Sequence, residues 1–141
     1  MSTTPSSSNL PGAASGAAPD LAALLVRYQQ AWTDGDIEGI LSMTPADGVY
    51  EASFGPSPWG QRFVGHDEIR AALLEMGLDQ PGRARHEYGE THVVGDCAFA
   101  MWTNVQEGLT GAETTMHGAD FYRFRDGMVA AKIAYRKNRQ S

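Results

Sequence analysis

The sequence is poor in cysteine, in basic side chains and in long apolar runs, and each shortage excludes a class of protein. Cys97 is the only cysteine in 141 residues, so no disulfide can form within the chain and a reducing, cytoplasmic setting is expected. Eleven Lys and Arg residues against 17 Asp and Glu residues give a net charge of −6, which argues against a nucleic-acid partner. No run of about 18 apolar residues occurs, so no membrane-spanning helix is predicted.

Both ends of the sequence are predicted to lie outside the folded domain. Residues 1–19 consist mainly of Ser, Thr, Pro, Gly and Ala, a composition typical of a disordered tail, and they lack the pattern of a signal peptide. Residues 138–141 form a short C-terminal tail, and the basic cluster Arg136, Lys137 and Arg139 is interpreted as solvated. The intervening residues 20–137 suffice for one domain with one core.

The first half of this region has the apolar spacing of helices. Asp20 is a good N-cap, and apolar residues recur at helical spacing from Leu21 to Trp32. A second, short helix is predicted after Asp36 and a third over residues 66–77. Between them the sequence predicts a strand at Val49–Phe54 and then a loop over residues 55–60, which are rich in glycine and proline.

The second half of the region has the pattern of long strands. Four strands are predicted, over residues 83–94, 97–107, 113–125 and 129–137, and the segments between them have the composition of hairpin turns. Strands of this length must curve, and helices on one face of a curved sheet enclose a cavity. The predicted fold is α+β: a cone-shaped, curved antiparallel sheet wrapped around three N-terminal helices.

Two segments resemble a known superfamily. The first extends from Arg27 to Asp47 and includes Tyr28, Trp32 and Gly35-Asp36-Ile37-Glu38; the second extends from Gly118 to Tyr135 and includes Asp120-Phe121-Tyr122 and Asp126-Gly127. The first resembles the opening helices of ketosteroid isomerase, and the second resembles the final hairpin of isomerases and SnoaL-like proteins. Over residues 20–137 the chain therefore resembles the nuclear-transport-factor-2-like superfamily, whose fold is the cystatin-like or SnoaL-like α+β barrel. Because this fold hosts many reactions, no single activity follows from it.

The resemblance implies a role for two residues of this chain and the absence of a third catalytic residue, the general base. Tyr28 and Asp120 stand where ketosteroid isomerase has the tyrosine and aspartic acid of its oxyanion hole. The isomerase's general base falls on Ala52. The neighbouring Glu51 points to the opposite face of the strand, because strand side chains alternate.

In the register that the resemblance to the isomerase implies, alternation predicts that Asp120 and Lys132 both point into the cone. An opposite charge within about 4–6 Å holds a carboxylate ionised, so Asp120 becomes available as an acceptor or base; a purely structural ion pair is equally compatible with the pattern. By resemblance to scytalone dehydratase, His86 is the candidate proton shuttle, although Thr33 stands where that enzyme has an aspartate.

Aromatic residues and methionines are the candidates to line an apolar cavity. The predicted substrate-binding residues are Trp32, Tyr50, Phe54, Trp59, Phe99, Met101, Trp102, Met116 and Tyr122. The sequence leaves open which face of strand 97–107 lines the cavity. By parity His92 and His117 fall outside it, and the histidines lack the close spacing of metal ligands, so no metal is predicted.

Together these residues predict a cofactor-independent acid–base enzyme of the isomerase, cyclase or lyase (dehydratase) type, acting on a small apolar carbonyl or polyketide-like metabolite. Tyr28 would donate to an oxygen, Asp120 would accept or relay a proton, and Lys132 and His86 would adjust the charge. Ala52 favours a non-catalytic ligand-binding protein as the alternative. An epoxide hydrolase is a weaker one, because Ala134 and Lys137 replace the acids it would use. The outer sheet face is expected to pair in a homodimer.

Overall fold

The computed structural model describes residues 19–82, 84–107 and 111–138, and within these ranges it contains three helices and six strands. The helices are α1 (Leu21–Asp34), α2 (Ile37–Ser42) and α3 (His66–Glu75). The strands are β1 (Val49–Ser57), β2 (Gly60–Val64), β3 (Arg85–Val94), β4 (Cys97–Glu107), β5 (Glu113–Arg125) and β6 (Met128–Arg136). Residues 1–18 of the tail predicted over 1–19, Arg83 of the strand predicted over 83–94, residues 108–110 of the turn and residues 139–141 of the C-terminal tail lie outside the described residues. None of the three helices is long and apolar enough to cross a membrane.

The first two helices begin and end where their capping residues predict. The Asp20 carboxylate accepts a hydrogen bond of 3.0 Å from the Ala23 amide, and α1 ends at Gly35, whose φ of 70° is left-handed. Asp36 caps α2 in the same way, through the Gly39 amide at 2.9 Å. One face of α1 is buried and includes Tyr28 and Trp32, so α1 presents its aromatic side chains to the sheet.

The sheet has the strand order β2-β1-β6-β5-β4-β3. The last four strands form the predicted antiparallel meander, but β1 lies parallel to β6, so the whole sheet is mixed rather than antiparallel. The predicted α+β cone, with three helices and a curved sheet, is confirmed. The sheet is not a closed barrel, because β2 and β3 form its two edges.

The loop predicted over residues 55–60 is wrong, because this segment is a hairpin. β1 continues to Ser57, two residues form the turn, and β2 returns along β1 from Gly60. The pairing is irregular between Ala52 and Ser57, as in a bulged strand. Gly60 has a φ of +79°, and a Cβ there would overlap the Ala52 carbonyl. The glycines that predicted a loop therefore permit a close, irregular hairpin.

The inner face of β4 is set by its even-numbered residues. Ala98, Ala100 and Trp102 are buried, whereas Phe99 and Met101 are exposed on the outer face. The sequence alone leaves open which face of β4 points inward, and the burial of these side chains shows that it is the even-numbered face. The small alanines leave room for Tyr122 of β5, which is fully buried in the core.

Candidate functional site

A cavity of about 450 Å³ opens at one end of the curved sheet, a size within the usual range of small-molecule sites. Its apolar lining consists of Trp32, Tyr50, Phe54, Met76, Leu78, Trp102, Met116 and Ala134. Its ionisable lining consists of His86, Lys132 and Arg136, and none of the described lining residues is an Asp or a Glu. The cavity is therefore an apolar space with cationic and neutral polar groups in its wall.

The Lys132 ammonium is held between a carboxylate and two aromatic rings. Its Nζ lies 3.4 Å from Asp120 Oδ1, 4.0 Å from the ring centroid of Trp32 and 5.0 Å from that of Tyr50. The residue is only 3% exposed. Burial lowers the pKa of Lys132 from its ordinary value, and the charge of Asp120 opposes that effect without cancelling it. The two aromatic faces offer a further attraction to the charged form.

Asp120 lies in the core behind Lys132 and is not among the residues that line the cavity. Oδ1 accepts a hydrogen bond of 3.0 Å from Trp102 Nε1, and Oδ2 accepts one of 3.0 Å from the Tyr122 hydroxyl. Gln29 Nε2 in turn donates to the Tyr122 oxygen at 3.5 Å. Two donors and an ammonium on one buried carboxylate are the partners that such a charge requires.

The pairing of β5 with β4 and β6 explains how Trp102 and Lys132 reach Asp120. The residues directly opposite it are Ala100 on β4 and Ala134 on β6, both small. Lys132 and Trp102 are its diagonal neighbours, and long side chains reach across such diagonals. Trp102 lies opposite Gly118, where a Cβ would collide with the indole ring. The small residues around Asp120 therefore make room for its two long partners.

Tyr28 is buried in the core beside Tyr122, with the two rings edge to face at 6.0 Å. It does not line the cavity. Burial, with a smaller contribution from the charge of Asp120, raises the pKa of Tyr28 well above its ordinary value. The sequence predicts that Tyr28 and Asp120 converge inside the cavity, whereas the structure places both behind its wall. Tyr122, and not Tyr28, donates to the carboxylate.

His86 lies in the cavity wall on β3. It is half-buried, and its ring lies 4.8 Å from that of Trp102 and 4.9 Å from that of Tyr88. The Thr33 hydroxyl donates to the His86 carbonyl at 3.3 Å and so ties α1 to this strand. The imidazole is thus placed on the same cavity as Lys132.

The other predicted residues divide between the cavity and the outer surface. Trp32, Tyr50, Phe54, Trp102 and Met116 line the cavity, and Tyr122 is buried behind it. Phe99 and Met101 lie on the outer face, because inward positions on β4 are even-numbered. Trp59 lies at the turn between β1 and β2, under the Arg62 guanidinium, and lines a separate groove.

The remaining acids and histidines lie as alternation predicts. Ala52 is buried, and Glu51 points to the other face, where it pairs with Arg62 at 2.7 Å. His92 and His117 are exposed on the outside of the sheet. Within the described ranges, no three His, Cys, Asp or Glu side chains come together as metal ligands.

The comparisons with known proteins agree with this arrangement of helices and sheet. The sequence model of the SnoaL-like domain matches residues 25–132. The chain belongs to the SnoaL-like family. No match is found among the curated proteins.

Solved structures with the same fold cover most of the SnoaL-like chain. An NTF2-like protein of unknown function from Mesorhizobium loti is 24% identical, with 84% of this chain and 91% of that chain covered and a TM-score of 0.69. A proposed polyketide cyclase from Xanthomonas campestris pv. campestris is 20% identical, with 84% and 90% covered and a TM-score of 0.65. A hypothetical protein with a ketosteroid isomerase-like fold from Catenulispora acidiphila, in complex with trimethylamine, is 15% identical, with 83% and 85% covered and a TM-score of 0.64. At these identities the likeness shows the fold.

Several cavity residues of this SnoaL-like domain were not predicted from the sequence. They are Ser53, Met76, Leu78, Asn104, Gln106, Thr114, Thr115 and Arg136. Two of them could have been found: Asn104 and Gln106 follow Trp102 at intervals of two, and so share its face once the parity of β4 is known. Gly118 is a sequence signal for the placement of Trp102, because a glycine inside a strand marks a position where another group comes close to the backbone.

Proposed function

We propose that this SnoaL-like protein is a small-molecule acid–base enzyme of the isomerase, cyclase or dehydratase type, acting on an apolar carbonyl or polyketide-like metabolite. The observation that carries the proposal is the buried Lys132 ammonium in the wall of an otherwise largely apolar cavity. An ammonium fixed in a water-poor site stabilises the negative charge that develops on a carbonyl oxygen during enolisation.

In this mechanism Lys132 and His86 contact the substrate. The carbonyl oxygen lies against Lys132 Nζ, and His86, on the same cavity, takes a proton from the adjacent carbon and returns it elsewhere. Asp120 and Tyr28 act as positioning residues: Asp120 holds the Lys132 charge through the 3.4 Å contact, and Tyr28 packs against Tyr122, which donates to Asp120. This chemistry needs no cofactor.

The proposed polyketide cyclase of the same fold supports the substrate class. The lining supports it too, since the rings of Trp32, Tyr50 and Trp102 suit a planar, apolar ligand. Arg136, in the same wall and 5.3 Å from the Phe54 ring, would favour substrates with a second, acidic oxygen.

The test is exchange of the α-hydrogens of 2-tetralone for deuterium in D₂O, followed by proton NMR. We expect the protein to accelerate exchange, and expect Lys132→Met to reduce the catalysed rate by about 10²–10³-fold, as for loss of an oxyanion-stabilising group. Lys137→Met is the matched control, because Lys137 is exposed and is not one of the residues that line the cavity. An unchanged rate in Lys132→Met contradicts the assignment.

A non-catalytic ligand-binding protein is the second candidate function. The observation in its favour is Ala52, buried where the isomerase has its base, together with a described cavity lining that holds no carboxylate. Tryptophan fluorescence separates the two, since Trp32 and Trp102 border the cavity. Binding of 2-tetralone without accelerated exchange would support the binding protein.

A homodimer in the cytoplasm is also proposed, with the free Cys97 thiol as the support for the location. The outer sheet face carries exposed Phe99 and Met101 on β4 and exposed Tyr135 on β6, on either side of β5, an apolar surface suited to burial against a second copy. Sedimentation equilibrium tests the dimer. We expect Met101→Glu to shift the mass toward the monomer, and a monomeric wild-type protein would overturn the proposal.

A further inference from the structure

Three groups surround the Lys132 amine at the cavity wall. Asp120 Oδ1 lies 3.4 Å from Nζ, and the ring centroids of Trp32 and Tyr50 lie 4.0 and 5.0 Å from it. Lys132 is one of the residues that line the cavity, as are Trp32 and Tyr50. The chain has only one other lysine, the exposed Lys137. The two lysines therefore differ in burial, since Lys132 is almost fully enclosed and Lys137 is exposed.

We infer that Lys132 is a nucleophile that forms an imine with aldehyde or ketone ligands in the cavity. The inference rests on the proposed function in one respect, that the cavity admits an apolar carbonyl compound. The inference goes beyond the proposed function because that mechanism uses only the charge of Lys132, whereas imine formation uses the lone pair of its amine.

The environment of Lys132 favours the reactive form of the amine. Only a neutral amine attacks a carbonyl, and burial lowers the pKa of Lys132, so it raises the neutral fraction at a given pH. A desolvated lysine in an apolar pocket is a known way to obtain such a nucleophile. Asp120, in contact with Nζ, is placed to accept the proton that the ammonium must lose.

The groups around Lys132 also suit the product of the reaction, a protonated imine. An imine carrying a proton on nitrogen keeps one positive charge at the position of Nζ. Asp120 can therefore pair with it, and the Trp32 and Tyr50 rings can attract it, much as they do the ammonium. A neutral product such as an amide would leave the Asp120 carboxylate buried without its counter-charge.

The atoms of the reaction balance without a further reagent. The Lys132 ammonium gives one proton to Asp120, and the free amine attacks the carbonyl carbon, so that a C–N bond forms and the C–O π bond breaks. Asp120 then relays a proton from nitrogen to oxygen, which gives a neutral carbinolamine. When Asp120 protonates the hydroxyl, water leaves and the C=N bond forms. The ammonium and the carbonyl compound have then become a protonated imine and one water, and Asp120 is a carboxylate again, as at the start.

The ionisable groups that face Lys132 come from several strands. Asp120 and Tyr122 of β5 and Tyr50 of β1 lie beside it, and the cavity wall that it shares also carries His86 of β3 and Arg136 of β6. Burial raises the pKa of Tyr50 and that of Tyr122 above the ordinary value, so both remain neutral at moderate pH. We therefore expect imine formation to increase as the pH rises from 6 to 9, following the loss of the Lys132 proton.

The test is reductive trapping with 2-naphthaldehyde and sodium cyanoborohydride at pH 7, followed by intact-mass measurement and peptide mapping. Each trapped amine gains the mass of the aldehyde less one oxygen atom. We expect Lys132 to be labelled at least about tenfold faster than Lys137, because burial lowers the pKa of Lys132 and the cavity holds the aldehyde beside it. Peptide mapping separates both lysines from the α-amino group, which also reacts near neutral pH.

The variants form a matched set. Lys132→Arg keeps a cation but removes the nucleophile, so this labelling should vanish while circular dichroism stays that of the folded protein. Lys137→Met should leave the labelling of Lys132 unchanged. Since the decisive measurement is made on the wild-type chain, a variant that folds poorly does not affect the conclusion.

The possible outcomes separate this inference from the proposed function. Label on Lys137 and the α-amino group with Lys132 unmodified overturns the inference, whether or not fluorescence shows aldehyde in the cavity. In that case accelerated exchange of 2-tetralone would still support the proposed function. Fast label on Lys132 without any accelerated exchange supports the inference and contradicts the proposed acid–base function.

Discussion

Replacing Asp120 with Asn keeps the size of the side chain and removes the counter-charge of a buried ammonium. Lys132 Nζ is 3.4 Å from Asp120 Oδ1, and both side chains are almost fully buried. Removing one partner of a buried ion pair costs about 3–5 kcal/mol, since the other charge is left unpaired. Lys132 can avoid this by releasing its proton. At pH 7, about three units below the ordinary lysine pKa, that release costs about 4–5 kcal/mol at about 1.36 kcal/mol per unit.

Both routes give a similar loss, so we expect Asp120→Asn to lower the free energy of unfolding by about 3–5 kcal/mol at pH 7. The loss should depend on pH in a definite direction. In the variant the pKa of Lys132 falls further below its unfolded value, so the folded state binds fewer protons than the unfolded state. Stability therefore rises with pH until the unfolded lysine titrates near pH 10. Burial lowers the pKa of Lys132 in the wild type as well, so its stability has the same sign of dependence and a shallower slope.

Urea unfolding followed by tryptophan fluorescence at pH 6, 7.5 and 9 measures both quantities. The double variant Asp120→Asn/Lys132→Met is the control, because it removes both charges and should be less destabilised than the sum of the two single changes. A loss below about 1 kcal/mol that does not vary with pH would refute the view that Asp120 holds the Lys132 charge.

Three further changes test the groups around this pair. Gly118→Ala places a Cβ against the Trp102 ring, so we expect a loss of about 1–3 kcal/mol in thermal unfolding, typical of overpacking, and altered tryptophan fluorescence. Trp102→Phe keeps the ring contact but removes the 3.0 Å hydrogen bond to Asp120, for an expected loss of about 1.5–3 kcal/mol in urea unfolding. Arg62→Ala breaks the partly exposed pair with Glu51 on the outer face and should cost at most about 1 kcal/mol by the same measurement. A larger loss for Arg62→Ala than for Trp102→Phe would contradict the ranking of these contacts by burial.

The fold was largely predictable because its signals are local. Caps at Asp20 and Asp36, helical spacing in α1 and turn residues between the last strands each depend on a few neighbouring residues. The hairpin of β1 and β2 was missed for the same reason. Gly60 and the prolines around it are local signs of a loop, while the pairing that makes this segment a hairpin depends on its contacts with the rest of β1. The parallel contact of β1 with β6 joins residues about 80 positions apart, and no local pattern encodes it.

The face of the sheet on which each candidate residue lies could be predicted from the sequence, but how far its side chain extends and what covers it could not. Alternation along a strand determines the face on which a side chain lies, and it placed Asp120 and Lys132 correctly on the inner face. It does not determine how far a side chain extends along that face or what covers it. The short Asp120 carboxylate ends among Trp102, Tyr122 and Lys132, whereas the four-carbon chain of Lys132 extends to the cavity wall. Because of this difference in length, Lys132 lines the cavity and Asp120 lies behind it, although the resemblance to an isomerase points to the aspartate. Ala52, at the position of the isomerase's base, and Lys132 in the cavity wall are therefore compatible parts of one structure, in which the ionisable residues of the described lining are cationic or neutral rather than acidic.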